Sequence, residues 1–181
     1  MDRIQKIQAA KKGDRSALVS LIMEKKDDYY RLAYVLTGNP HDAGDALEDM
    51  IVILFEKMYQ LRDAEAFPAW SRTILRNCCR QIQRRQRRVV PLEDIPEETQ
   101  AADPTLDTVE SMVLQTSLQQ LDPLHREVIR LRYYLDYDYR TIADVLRIPV
   151  GTVRSRLANG LKKMETILGG EGYVPCGRET R

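Results

Sequence analysis

Charge is segregated along this chain, and the segregation divides it. No Asp or Glu occurs from Ala66 through Leu92, and no Lys or Arg occurs from Val89 through His125. Residues 72–88, RTILRNCCRQIQRRQRR, hold seven arginines and no acid. Residues 89–107, VVPLEDIPEETQAADPTLD, hold three prolines, acids and no sustained apolar period. That composition predicts an extended connector rather than a packed element. The formal net charge of +1 therefore averages a basic surface and an acidic connector. It is compatible with a nucleic-acid partner.

Each side of the connector is long enough for a small core. The chain is 43% hydrophobic and 30% charged, a folded composition. No stretch approaches the ~20 apolar residues of a membrane span. The first residues, MDRIQKIQAAKKGDR, lack an apolar signal-peptide core, so a cytoplasmic location is expected. Cys78 and Cys79 are adjacent and Cys176 is distant, which is neither a disulfide framework nor a metal spacing. Cys78 is read as a small core residue. With His41 and His125 the only histidines, no metal site is expected, and no cofactor.

Apolar periodicity is helical throughout. Asp14 caps a helix expected to run to about Thr37, with Leu18, Leu21, Ile22, Tyr29, Leu32, Ala33 and Leu36 on one stripe. Gly38-Asn39-Pro40 stops it. A second helix is expected over roughly 41–61, burying Leu47, Met50, Ile51, Leu54, Met58 and Leu61. A third starts near Phe67, with Pro68 tolerated in its first turn. Beyond the connector, helices are expected near 108–120, 123–135, 139–146 and 150–167. The fold class is all-α: two small helical domains joined by an acidic flexible linker, the second with a helix-turn-helix. The expected boundaries are 1–88, a linker at 89–107, 108–168, and a poorly ordered Gly-rich tail at 169–181.

At 100° per residue, Phe67, Trp70, Ile74, Cys78 and Ile82 share one face of the third helix. Arg72, Arg76, Arg80, Gln83 and Arg87 take the other face. Over these positions the arginines make a ladder about 22 Å long at 1.5 Å per residue. Like charges at i,i+4 repel, so an acid-free arginine face calls for an external anion, and a phosphate backbone fits. On the second helix Asp42, Asp45, Asp49 and Glu56 form a stripe with Glu48 beside it. It is either a solvated acidic face or a docking surface for a basic protein.

The most specific pattern is DYRTIADVLRIPVGTVRSRL, residues 138–157, a helix-turn-helix. Asp138 caps the first helix, Ile142, Ala143 and Leu146 are buried, and the small Ala143 permits a close crossing. Ile148 and Pro149 make the turn. In the second helix Val153, Leu157, Leu161 and Met164 point inward. Gly151, Ser155, Asn159 and Lys162 centre the outward face, flanked by Arg154 and Arg156. This is the layout of a recognition helix in a major groove. Arginine reaches guanine or phosphate, and Asn159 suits an adenine edge.

LDPLHREVIRLRYYLDYDYRTIADVLRIPVGTVRSRL closely resembles region 4 of the extracytoplasmic-function group of bacterial sigma factors. GDRSALVSL, YYRLAYVLTGNPHDAGDALEDM and FPAWSRTILRN resemble region 2 of the same group. The resemblance covers about residues 1–168. It implies a promoter-specificity subunit of core RNA polymerase and not an enzyme. It implies polymerase binding by Asp42, Asp45, Glu48 and Asp49. It implies -10 contacts from the loop at about Gln60–Glu65 and from Arg76, Asn77 and Arg80, to which Arg72, Arg84 and Arg87 are added from the basic helix. It implies -35 contacts from Thr152, Arg154, Ser155 and Arg156, to which Asn159 and Lys162 are added from the helix face. Trp70 is read as structural. Many family members have Gly where Arg147 stands, and basic residues near Ala158 and Asn159. The family's connector threads toward the polymerase active centre, where an acidic 89–107 segment could mimic RNA. Many relatives are held inactive by anti-sigma proteins, so such a partner is a further expectation.

Two other readings compete. A regulator using the helix-turn-helix alone needs a ligand or dimerisation domain in its first half. An enzyme acting on nucleic acid needs a metal or acid–base constellation, which the outer stripe of acids without His or a Gly-rich loop does not supply.

Overall fold

A computed structural model of the chain describes residues 2–89 and 109–168. All regular elements among the described residues are helical: α1 (Arg3–Lys11), α2 (Arg15–Met23), α3 (Lys26–Thr37), α4 (Pro40–Lys57), α5 (Phe67–Val89), α6 (Val109–Gln120), α7 (Pro123–Tyr133), α8 (Tyr139–Leu146) and α9 (Val150–Ile167). Two 3-10 turns, Met58–Gln60 and Ala64–Ala66, join α4 to α5. The connector beyond Val89 and the tail from Gly169, with Cys176, lie outside the described residues.

Side-chain caps set most helix starts. Asp2 and Gln5 form a reciprocal capping box that begins α1. Asp14 accepts from the Ala17 N–H at 3.0 Å and begins α2. Asn39 accepts from the His41 N–H at 2.8 Å and begins α4, with Pro40 in its first position. Asp122 and Asp138 do the same for α7 and α8. Gly38, at φ 76°, ends α3 in the left-handed conformation that glycine adopts without a Cβ clash.

The single helix expected from Asp14 to Thr37 is broken. Glu24 and Lys25 separate α2 from α3. Residues 24–28, EKKDD, offer five charged side chains and nothing to bury. The chain turns there, so that α2 lies mainly on α1 while α3 packs on α4 and α5. Helix α1 was not expected from the sequence, and it buries Ile7 and Ala10.

The first core lies between α3, α4 and α5, where Leu32, Ala33, Met50, Leu54, Leu75, Cys78 and Cys79 are almost fully shielded. The second lies between α7, α8 and α9 and includes Val128, Leu131, Ile142, Val145 and Val153. The close crossing of α7 and α9 is made by Gly160. A Cβ there would come within 2.9 Å of Ile129 Cδ1 and 3.1 Å of His125 Cβ. Ala143 is buried as expected, while Leu47, Ile51, Trp70, Ile74 and Leu161 are only half-buried.

The two helix groups touch. Helix α5 packs on α8, and α3 packs on α7. Thr73 donates to the Asp144 carbonyl at 3.2 Å, and Arg130 donates to the Val35 carbonyl at 3.3 Å. This contact covers part of the arginine face that the sequence pattern leaves open.

Candidate nucleic-acid and protein interfaces

The helix-turn-helix consists of α8, a turn and α9. Arg147 closes α8 with φ 52° and ψ 50°. The Ile148 N–H then donates back to the Ala143 carbonyl at 3.1 Å, and Pro149 redirects the chain into α9. The Thr141 N–H holds the Asp138 carboxyl below its usual range, which keeps the α8 cap ionised. Val153, Leu157, Gly160 and Met164 anchor the inner side of α9. Gly151, Arg154, Ser155, Ala158, Asn159 and Lys162 are exposed, and Thr152 and Arg156 are half-buried. The Ser155 hydroxyl donates to the Thr152 carbonyl at 3.1 Å. The guanidinium of Arg154 lies 5.7 Å from the centre of the Tyr139 ring. The exposed face of α9 thus presents donors and two flanking cations on a rigid rod, suited to base edges and phosphates.

The arginine ladder of α5 is divided. Arg76 is buried, 7% exposed, and its Nε and Nη2 donate to the two carboxylate oxygens of Glu127 at 2.8 and 3.0 Å. Its Nη1 reaches the Leu146 carbonyl at 3.4 Å. Arg72 is half-buried, with its guanidinium 5.6 Å from the Tyr137 ring centre. Arg80 lines a cleft with Leu36, Gln83, Glu127 and Arg130. Asn77 and Arg84 are exposed. Arg87 lies on α5, but its side chain is outside the described set. Helical phase placed Arg72, Arg76 and Arg80 away from the first core, as expected. What covers that side is α7 and α8, so part of the anion demand is met inside the chain by Glu127 and carbonyl oxygens.

In the loop before α5, Gln60, Arg62, Asp63 and Glu65 are exposed, and Glu65 pairs with Arg3 at 2.9 Å. Trp70 is tilted against Phe67 with ring centres 6.3 Å apart.

On α4, Asp45 and Glu48 are exposed and Asp49 is half-buried. Asp42 is different. It is 8% exposed, and both its oxygens accept from Gln86 Nε2 at 2.9 Å. It ties α4 to α5 and is shielded from solvent there. The sequence pattern also missed an apolar continuation of that stripe: Val52, Phe55 and Tyr59, at 55%, 38% and 69% exposure. Asp45, Glu48, Val52, Phe55 and Tyr59 are spaced 3, 4, 3 and 4 along the chain, so they share one side of the helix and its short 3-10 extension. Acids at one end and apolar groups at the other suit an amphipathic helical partner with basic residues.

Among the described residues, His41, Asp42 and Asp45 bring possible metal-ligand atoms within 4.8 Å of one another. Gln86 already holds Asp42, and His41 pairs with Asp45 at 3.3 Å. Cys78 and Cys79 are buried, and burial pushes their thiols up to about 11 and about 12. No described helix is long and apolar enough to cross a membrane.

An all-α chain with a helix-turn-helix and a second, basic helix defines a DNA-binding protein of two helical modules. Comparison with known proteins makes this specific. Residues 21–89 match the model of sigma-70 region 2, and residues 111–164 match that of sigma-70 region 4. The chain is 30% identical to the ECF RNA polymerase sigma factor SigE of Mycolicibacterium smegmatis, over 86% of this chain and 64% of that protein. It is 29% identical to the ECF RNA polymerase sigma factor SigW of Bacillus subtilis, over 86% of this chain and 91% of that protein. Among solved structures, CnrH in complex with the cytosolic domain of CnrY shares the fold with a TM-score of 0.66 at 21% identity, covering 94% of this chain and all of that one. The sigma factor RpoE of Bartonella quintana, in complex with the anti-sigma factor NepR, gives 0.59 at 22%, covering 83% and 96%.

The chain belongs to the extracytoplasmic-function group of the sigma-70 family. It is a sigma factor, which directs RNA polymerase to promoters, and its relatives are not enzymes in kind. It spans just under two thirds of the first of these relatives and about nine-tenths of the second.

Proposed function

We propose that the two helical groups divide promoter recognition between them, residues 1–88 serving the -10 element and 108–168 the -35 element, with 89–107 as connector. The observation that carries this reading is the outer face of α9. Arg154, Ser155, Asn159 and Lys162 stand exposed on a helix whose other side is locked into a core. Thr152 and Arg156 flank them. Arg72, Arg76, Asn77, Arg80, Arg84 and Arg87 on α5 are the candidate -10 contacts. The α4 stripe is the docking surface for core polymerase, through Asp45, Glu48 and Asp49 and the apolar Val52, Phe55 and Tyr59. Asp42 supports that helix from behind.

In this reading the contact between α5 and α7–α8 belongs to the free chain. Arg76 cannot meet DNA while Glu127 holds it. Polymerase binding then separates the two groups and frees the arginine face. A protein partner of the anti-sigma kind, like those named with CnrH and RpoE, would act by holding the closed arrangement. The chain works in the cytoplasm and carries out no catalysis of its own.

The test is transcription in vitro with purified core polymerase and a promoter library. Initiation that depends on the chain, and on both a -10 and a -35 sequence, is the expected result. Specific DNA binding that never requires polymerase would instead mark a helix-turn-helix regulator.

A further inference from the structure

Tyr139 opens α8, and Asp138 fixes its backbone by accepting from the Thr141 N–H at 2.7 Å. Tyr139 as a whole is 36% exposed. Two arginines lie against it. The guanidinium of Arg132, from α7, is 5.5 Å from the ring centre, and that of Arg154, from α9, is 5.7 Å away. Both distances fall within the roughly 6 Å reach of a cation–π contact. Arg132 is itself held, donating to the Tyr137 carbonyl at 3.0 Å, with the Asp136 carboxylate 3.9 Å away. One ring therefore joins the last turn of α7, the first turn of α8 and the first turns of α9.

This arrangement bears on Arg154. A free arginine side chain has many rotamers, and part of that freedom is lost when it forms a fixed hydrogen-bonded contact. A guanidinium already lying on an aromatic face has fewer conformations to lose. The two cations on one ring also repel each other, and an anionic ligand placed between or beside them relieves that repulsion. The ring thus does two things: it orients the Arg154 fork, and it gathers positive charge at the edge of the recognition helix.

We propose that Tyr139 is a positioning residue for -35 recognition, acting through Arg154, with Arg132 as a second cation against the same ring. The proposal rests on the reading of Arg154 as a -35 contact. Tyr139 need not touch DNA itself.

The experiment uses the full chain assembled with core polymerase, and measures binding to promoters varied one base pair at a time through the -35 element. Five variants are compared: Arg154→Ala, Tyr139→Ala, Tyr139→Leu, Tyr139→Phe and the Tyr139→Ala/Arg154→Ala double variant. Arg154→Ala loses discrimination at one or two base positions. Tyr139→Ala and Tyr139→Leu lose about 3- to 10-fold at the same positions, while Tyr139→Phe, which keeps the ring face, stays close to the parent. The double variant is no worse than Arg154→Ala, because the ring has nothing left to orient. A purely structural role for Tyr139 would move the melting temperature and all promoters alike, and Leu would then rescue as well as Phe. Two results overturn the proposal. One is an unchanged base preference in folded Tyr139→Leu while Arg154→Ala alters it. The other is full additivity in the double variant. If Arg154→Ala itself leaves base preference untouched, the parent reading of Arg154 fails, and the role of Tyr139 fails with it.

Discussion

Arg76 of α5 and Glu127 of α7 form a two-pronged ion pair, 2.8 and 3.0 Å across its two hydrogen bonds, with side chains only 8% and 12% exposed. The pair joins positions 51 residues apart, one in each helix group. Removing one member of a buried pair strands the other charge, at a cost of about 3–5 kcal/mol. Here the chain has an escape, because separating the groups returns Arg76 to water. The cost of Glu127→Ala is therefore capped by the free energy that holds the groups together. The expected outcome is an expanded free chain, seen as a larger radius of gyration in solution scattering, with stronger and more salt-sensitive DNA binding. Arg76→Met/Glu127→Leu, which replaces the pair by apolar groups, should stay compact. A Glu127→Ala variant as compact as the parent would remove the pair from any part in closure.

The turn of the helix-turn-helix gives a second prediction. Arg147 occupies a left-handed conformation, φ 52° and ψ 50°, on an exposed position. That conformation costs an L-residue about 1–2 kcal/mol. Glycine avoids the cost but loses about 0.5–1 kcal/mol through the freedom of the unfolded chain. Arg147→Gly should therefore gain about 0.5–1 kcal/mol and raise the melting temperature by a few degrees. Thermal unfolding by circular dichroism reads this directly. A lowered melting temperature would mean that the Arg147 side chain contributes more than its backbone strain takes away.

The helix-turn-helix was legible because its signals are local. Asp122, Asp138 and Pro149 mark starts and a stop, and the apolar spacing between them is regular, so α7, α8 and α9 fall within two residues of their expected ends. Helix α1 was missed because it offers few apolar positions, although Asp2 and Gln5 already carried a capping-box spacing. The break at Glu24–Lys25 was missed because the apolar stripe keeps its period across it. Arg76 and Asp42 show a deeper limit. Helical phase says which side of a helix a residue occupies, but not what lies against that side. Glu127 and Gln86 are tertiary partners, 51 and 44 residues away, and no local pattern announces them.

Cys78 and Cys79 predict a pH effect. Burial raises both thiols from about 9, to about 11 and about 12. An acid with a raised folded-state pKa binds its proton more tightly when folded. Its stabilising contribution is complete below the unfolded value and is lost as pH rises through the folded values. The chain should therefore lose stability progressively above about pH 9, and Cys78→Ala/Cys79→Ala should lose less over the same range. At pH 8 both thiols should resist iodoacetamide in the native chain and react once it is unfolded in guanidinium. Rapid native labelling at either position would show that α5 opens locally or that the site is wetter than this packing allows.

The α4 stripe joins two kinds of contact, and they can be separated. Asp45 and Glu48 are exposed, with Asp49 half-buried beside them, and Val52, Phe55 and Tyr59 continue the same side toward the end of the helix. Asp45→Lys/Asp49→Lys should leave folding nearly intact, since surface substitutions usually shift stability by under ~0.5 kcal/mol. Against a basic partner, however, it turns attraction into repulsion, which costs several kcal/mol and mainly slows association. Val52→Ser/Phe55→Ser removes apolar area that a docked partner would cover, at about 25 cal/mol per Å2, and should mainly speed dissociation. Raising the salt concentration should weaken polymerase binding of the parent and of the apolar variant alike, while the charge-reversal variant should gain relative to them. Helical content by circular dichroism and binding kinetics with immobilised core polymerase measure both effects. If the folded charge-reversal variant binds polymerase as fast as the parent, the acids are a solvated face. If the serine variant also dissociates at the parent's rate, docking lies on another helix altogether.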